Sequence, residues 1–153
     1  MATTNSCQIA LTTLIKAWFA GANAKYSVPI DAANILGYST TPGDSSASPH
    51  WVIVRVLATR PDSEVFEHTD LPVRMTITLF SGMTQTESSR EAAERWINDA
   101  EEMLVEQLAR AEQTANWKEI AIVGNPRRDV HKRYHGSHRT SDIAIEIEKI
   151  NTN

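Results

Sequence analysis

One long stretch of the sequence has the hydrophobic periodicity of a surface helix that packs on a core. From Thr86 onwards, apolar residues recur at three- or four-residue intervals, and no glycine or proline interrupts Glu87 to Glu112. This spacing predicts one face of an α-helix. Ser88 and Glu91 have the spacing of a capping box at its start. The predicted buried face consists of Ala93, Trp96, Ile97, Ala100, Met103, Leu104, Leu108 and Ala111.

A second helix is predicted near the N-terminus, from Ser6 to Ala20, with Gly21 as its stop. Its apolar stripe consists of Leu11, Leu14, Ile15 and Trp18. The segment from Ser27 to Leu36 predicts a short helical turn, with Pro29 early in it. Residues 39–49 are rich in Ser, Thr, Pro and Gly, which predicts a surface loop.

Four stretches have the pattern of β-strands. His50 to Ala58 is apolar at both alternating sets of positions, which predicts a strand buried on both faces, with a second subunit as one candidate cover. Leu71 to Ser81 alternates cleanly, as a half-buried strand does. Trp117 to Val123 is the third predicted strand, and Ser141 to Ile150 is the fourth.

The order of these elements is helix, two strands, helix, two strands. It predicts an α+β fold with a four-stranded, mostly antiparallel sheet and two helices on one face. At 153 residues the chain is interpreted as a single domain, 1–153, with residues 39–49 and 126–140 as loops or extensions.

Composition excludes several classes of protein. The single cysteine, Cys7, excludes an internal disulfide and a CxxC site. No apolar run approaches the roughly 20 residues of a membrane span, and the N-terminus lacks a signal-peptide pattern. We therefore expect no membrane contact and synthesis in the cytoplasm.

Charge is distributed unevenly along the chain. The net charge is −4, yet residues 126–140 alone contain five bases and one acid, a local net of +4. The bases are Arg127, Arg128, Lys132, Arg133 and Arg139. Such a basic patch on an otherwise acidic chain predicts contact with phosphate or with an acidic protein surface. The number of basic residues favours the protein surface.

The candidate chemical motifs are weak. His131, His135 and His138 would meet on a helix, but Gly136 and the surrounding arginines argue against one, so no metal site is expected. Neither common glycine-rich phosphate loop occurs. The acids of the long predicted helix that begins near Glu87, such as Asp99, Glu101, Glu102 and Glu106, lie mostly off its apolar stripe, which favours a solvated face or a basic partner. We expect no enzyme activity, no catalytic residues and no cofactor.

In the order and spacing of its predicted helices and strands, the last two-thirds of the chain resembles the tail terminator, or tail completion, proteins of lambda-like tailed bacteriophages. The matching stretches are HWVIVRVLATRPDSEVFEHTDLPVRMTITLFSG, ESSREAAERWINDAEEML and DVHKRYHGSHRTSDIAIEIEKI. The resemblance implies a structural virion protein that forms a ring, expected to be a hexamer. Such a ring caps the tail tube, ends its polymerisation and offers a docking face to the head-side connector.

On this interpretation the partners are further copies of the chain, the tail tube protein, the head completion or connector protein and, in some tails, the sheath. Genomic DNA passes through without specific binding. The location is the head-proximal end of the tail in the virion, after assembly in the host cytoplasm. Glu146 and Glu148 are the candidate lumen residues, and the candidate interface residues are Trp51, Ile53, Arg127, Arg128, Arg133 and Arg139.

Two alternatives stay open from the sequence. The chain has the size of other head–tail connector or neck proteins. The basic segment with its three histidines also fits a small nucleic-acid-binding or nuclease-like domain, whose phosphate contacts would make binding strongly salt-dependent.

Overall fold

The computed structural model describes residues 2–21, 25–38, 42, 49–59, 72–133 and 136–150; the side chains of residues 58, 59, 131–133 and 136 are outside this description. The chain forms two long helices and a six-stranded sheet, an α+β fold. The elements are α1 (Thr4–Ala20), β1 (Ile35–Leu36), β2 (His50–Thr59), β3 (Val73–Met83), α2 (Glu87–Ala109), β4 (Trp117–Ile122), β5 (Arg127–Arg133) and β6 (Gly136–Lys149).

The long helix α2 confirms the predicted stripe, while its cap differs from the prediction. Every predicted stripe residue from Ala93 to Leu108 is buried. The N-cap is Thr86, whose side chain accepts a hydrogen bond from the Ser89 amide. The Ser89 hydroxyl in turn accepts from the amide of Thr84. The capping box predicted at Ser88 and Glu91 is therefore wrong, because the helix begins earlier than the pair requires.

Helix α1 starts two residues before the predicted Ser6. Thr3 and Ser6 form a reciprocal capping box, in which each side chain accepts from the other's amide. Gly21 is the C-cap, as predicted. The turn predicted between Ser27 and Leu36 is narrower, a single 3₁₀ turn at Ala32–Asn34 that leads directly into β1.

The sheet contains the four predicted strands and two more. Its order is β1-β2-β3-β6-β4, and β5 pairs with the part of β6 that precedes the β4 pairing. All pairs are antiparallel except β1 with β2, so the sheet is mixed. The prediction of four strands missed β1 because two residues carry no period, and missed β5 because its residues are polar.

Within residues 126–140, Arg127–Arg133 pairs antiparallel with the first part of β6, which corrects the interpretation of this segment as a loop. β5 pairs with β6 from Arg127 opposite Asp142 to Arg133 opposite Gly136. No β5 residue belongs to the apolar core clusters of the described chain. The strand has no recognisable hydrophobic pattern, because it is stabilised by pairing with β6 and by charged contacts, and not by a buried apolar face. The loop predicted at 39–49 lies almost entirely outside the described residues.

Both helices lie on the same face of the sheet, as predicted. α1 packs over β1 and β2, and α2 packs over β3, β4 and β6. The core between them is built from alternate strand residues, among them Val52, Met75, Ile77 and Ile145, each fully buried or nearly so. Within the described residues, neither helix has the length and apolar character needed to cross a bilayer.

Candidate assembly surfaces

The basic hairpin is held on the acidic face of α2. The guanidinium of Arg128 donates to both carboxylate oxygens of Glu101, at 3.0 and 3.1 Å, and a further nitrogen donates to Asn98. The Ser141 hydroxyl donates to the same Glu101 carboxylate at 2.5 Å. Bidentate arginine–carboxylate pairs are geometrically specific as well as strong. The hairpin is therefore fixed to the helix by a small charged network.

A second ion pair joins the hairpin to the same helix. Arg139 lies 3.7 Å from Glu94. Arg127, in contrast, points to the opposite side of the sheet, where it faces Asp142 in register, and it is exposed. The side chain of Arg133 lies outside the described residues. Of the four arginines expected at an interface, two thus form contacts within their own chain.

Of the three histidines that suggested a metal site, His131, His135 and His138, the structure describes the side chain of His138 alone. His138 packs edge-on against Phe80, with ring centroids 6.1 Å apart. The side chain of His131 and all of His135 lie outside the described residues. Among the residues that the structure does describe, no group of three histidine, cysteine or acidic side chains is arranged to hold a metal ion.

Trp51 and Ile53 lie on the sheet face opposite the helices. They form a small apolar cluster with Phe80 and Leu36. Trp51 is 8% exposed and Ile53 is fully buried within the single chain. Their apolar character, which suggested a subunit interface in the sequence, therefore has a structural explanation inside one chain. Among the β2 side chains that the structure describes, Leu57 is the large apolar one with substantial exposure, at 57%.

The rest of that open face carries a polar network along β2, β3 and β6. Arg55 donates to the Thr78 hydroxyl at 3.1 Å, and Thr78 donates to Asp142 at 2.7 Å. Thr78 and Asp142 are register partners, whereas Arg55, which is opposite Thr76, reaches Thr78 diagonally on the same face. Thr78 is buried and Arg55 and Asp142 are half-buried, so the centre of this face is covered within the chain and its borders meet solvent.

The two candidate lumen residues lie at the far end of the open face. Arg74 pairs with Glu146 at 3.4 Å, and Lys118 pairs with Glu148 at 3.8 Å. Glu119 lies opposite Glu148 in register, and the acids border a cavity of about 250 Å³. Three carboxylates against two bases leave this end weakly acidic. Glu146 and Glu148 are half-exposed, so they face solvent, but each has a basic neighbour.

A larger cavity, of about 750 Å³, lies between α2 and the ends of β2 and β3. His50 is in its wall, stacked on Trp96, and its Nδ1 is 3.0 Å from the Ser81 hydroxyl. Burial lowers the pKa of His50 to about 4, so the imidazole is neutral near pH 7. No sequence motif marked this pair, because the two residues belong to different strands.

A serine beside a neutral imidazole is the arrangement of an activated nucleophile. Here Ser81 is fully buried, and His50 and Ser81 are register partners at the end of the β2–β3 ladder. Their contact ties the start of one strand to the end of the next. The indole of Trp96 adds a further link, since it donates to the Pro29 carbonyl at 3.0 Å. The pair is therefore interpreted as structural.

No protein-family model matches this chain, and a search of curated proteins finds no match. Function is therefore inferred from the chain's own residues and their contacts.

Proposed function

We propose that this chain is a structural subunit of a phage tail: a tail-terminator-like protein that assembles into a ring, expected to be a hexamer, at the head-proximal end of the tube. The ring would end tube polymerisation and present a face to the head-side connector. The proposal builds on the order of elements and on the way the chain uses its charged surfaces.

One observation favours a structural protein over a nucleic-acid-binding protein. It is the attachment of the basic hairpin, formed by β5 and the start of β6, to α2. Arg128 and Arg139 are paired with Glu101 and Glu94 of the same chain. A patch that binds nucleic acid needs its guanidinium groups available to phosphates. Because two of its arginines are already neutralised by carboxylates, the hairpin supports a structural role better than phosphate binding.

The open sheet face adds to this proposal. Its polar side chains are engaged with one another across the strands, and its far end has a surplus of one carboxylate over its bases. A surface of this kind does not hold DNA strongly, since like charges repel. The solvent-facing end of this face, which carries Glu146 and Glu148, suits a channel wall that DNA passes.

The test is assembly on a tube. Purified chain is mixed with the tail tube protein encoded in the same genome, and particles are imaged while light scattering follows the free chain. The expected result is a ring at one end of each tube and tubes that stop growing. A chain that stays monomeric alone and with tubes, and leaves tube length unchanged, would overturn the proposal.

A DNA titration at several salt concentrations serves as the second arm. We expect that the chain shows no DNA binding of the strongly salt-dependent kind that phosphate contacts produce. If binding is found, and Arg127→Ala flattens its slope, the basic hairpin contacts phosphate and the nucleic-acid alternative is favoured.

A further inference from the structure

The cavity of about 750 Å³ between α2 and the ends of β2 and β3 has walls that the chain itself holds in place. On one side, the Trp96 indole donates to the Pro29 carbonyl at 3.0 Å. On the other, the Gly82 amide donates to the Pro49 carbonyl at 2.7 Å. The volume lies in the range of about 300–1,000 Å³ that is typical of ligand pockets. The cavity is therefore a preformed cleft, and a ligand would spend little free energy on ordering it.

Much of the cleft wall is apolar. The apolar side chains in its lining are those of Pro29, Pro49, Met83, Ala93 and Trp96. A wall of this kind binds the apolar part of a ligand by removing it from water. His50 adds no positive charge near pH 7, because burial lowers its pKa to about 4.

Two charged side chains of α2 line the cleft, and they differ in how they are paired. Arg95 donates to Glu91, which lies one turn earlier on the same helix. Asp99 forms no salt bridge with any basic side chain that the structure describes. Asp99 is also partly buried, where a charge is less screened by water than at the surface. The cleft therefore has one uncompensated carboxylate, which favours a cationic ligand.

The free acceptor on Asp99 suits an ammonium better than a guanidinium. The Oδ2 atom already accepts a hydrogen bond from the Ser27 amide at 3.3 Å. A guanidinium binds best when it reaches both oxygens of a carboxylate at once. An ammonium is a compact point charge, and the aliphatic stem of a lysine can lie along an apolar wall.

We propose that this cleft binds a lysine side chain of a partner protein, with the ammonium on Asp99 and the aliphatic stem along Trp96 and Met83. This binding site goes beyond the proposed ring and does not depend on it. The uncompensated carboxylate selects the charge, and the apolar wall selects the stem.

The size and lining of the cleft favour a peptide segment over a free amine. One lysine side chain fills only part of the cavity of about 750 Å³, so the residues beside that lysine would occupy the rest. The lining also includes three residues with hydroxyl groups, Thr84, Ser89 and Ser137. Hydroxyls both donate to and accept from peptide groups, which a free amine lacks.

The test is calorimetric titration of the full chain with the peptide acetyl-Leu-Lys-Leu-amide, whose leucines match the apolar wall. We expect saturable binding. A peptide with norleucine in place of lysine should bind at least about tenfold more weakly, because it lacks the charge-assisted contact. A peptide with arginine in that place should also bind more weakly than the lysine peptide.

Asp99→Asn is the decisive variant. It removes the charge and keeps an oxygen that can accept from the Ser27 amide, so circular dichroism should show an unchanged fold. It is expected to bind the lysine and norleucine peptides equally. Glu102→Gln is the matched control, since it removes the same charge from an exposed site on the same helix, outside the cleft lining. The control should bind the lysine peptide as wild type does.

Several results would overturn the inference. Wild type that does not bind the lysine peptide, or that binds the norleucine peptide equally well, would show that the cleft does not select a lysine. A preference for lysine that persists in Asp99→Asn would place the contact elsewhere. Butylamine that binds as tightly as the lysine peptide would assign the cleft to a free amine. Ring formation on tubes is measured separately, so failure here leaves the proposed function standing.

Discussion

The imidazole of His50 lies on the indole of Trp96, with ring centroids 4.3 Å apart and planes within 4° of parallel. The stack joins the first residue of β2 to the middle of α2, and the Ser81 hydroxyl holds the imidazole from the other strand. One aromatic pair, with Trp96 buried and His50 partly buried, thus connects the helix layer to the end of the sheet.

This burial predicts a pH dependence of stability. The pKa of His50 is about 4 in the folded chain, against an ordinary 6.5 when unfolded. Between these values the unfolded chain binds more protons, so the stabilising effect is present at pH 7 and is lost as pH falls from about 6.5 to about 4. Urea unfolding of wild type and His50→Gln at pH 7 and pH 5 is the measurement. The variant should lose less stability over this interval, and an equal loss would contradict the prediction.

The N-cap of α2 offers a direct comparison between the sequence prediction and the structure. Because Thr86 accepts from the Ser89 amide, Thr86→Ala should lower the free energy of unfolding by about 1 kcal/mol. Ser88→Ala, at the residue the sequence pattern favoured as the cap, should change it by less than about 0.5 kcal/mol. Chemical denaturation measures both, and the reverse order would restore the original assignment.

Whether an element of this fold can be predicted from the sequence depends on which interactions stabilise that element. α2 was predictable because its burial repeats with a helical period, as at Trp96, Ile97 and Ala100. β3 was predictable as a strand because its apolar residues alternate, as at Met75 and Ile77, but the prediction that it is half-buried is wrong, since Thr78 on its other face is buried too. β5 was not predictable, since its order comes from pairing with β6 and from the Arg128–Glu101 contact with a residue 27 positions away. No local pattern contains that information.

The same distinction applies to the candidate site residues. Trp51 and Ile53 have the side chains of an interface, but a cluster with Phe80 and Leu36 buries them inside the chain. Only the register of β2 on β3, which sets Trp51 opposite Phe80, reveals this. The sequence pattern does not distinguish Leu57 from Trp51 and Ile53, because the bulge that sets Leu57 apart depends on the same pairing.

The hairpin contact predicts a salt-sensitive contribution to stability. A double-mutant cycle on Arg128→Ala and Glu101→Ala should give a coupling of about 0.5–1 kcal/mol, because both groups are partly exposed and the pair is bidentate. The coupling should decrease as sodium chloride is raised. Arg127→Ala is the control and should stay within about 0.5 kcal/mol of wild type. No measurable coupling at low salt would show that the hairpin is not held by this pair.

Cys7 predicts a slow thiol reaction in the native chain. Its side chain is fully buried, its thiol donates to the Asn116 carbonyl at 3.5 Å, and burial raises the pKa of the thiol. Because the thiolate is the reactive form, a disulfide reagent should react with native protein far more slowly than with protein unfolded in urea. Absorbance of the released thiolate follows both reactions. Equal rates would place Cys7 at the surface.

Trp51 separates an intrachain role from an interface role. If it packs only within its own chain, Trp51→Ala should lower the free energy of unfolding of the monomer by about 3–5 kcal/mol, since it removes a large buried side chain. Leu57→Ala on the same strand should change monomer stability by less than about 0.5 kcal/mol, because Leu57 is exposed. Denaturation at a concentration low enough to keep the chain monomeric measures both. A monomer that tolerates Trp51→Ala, while association is lost, would show that Trp51 belongs to the subunit interface after all.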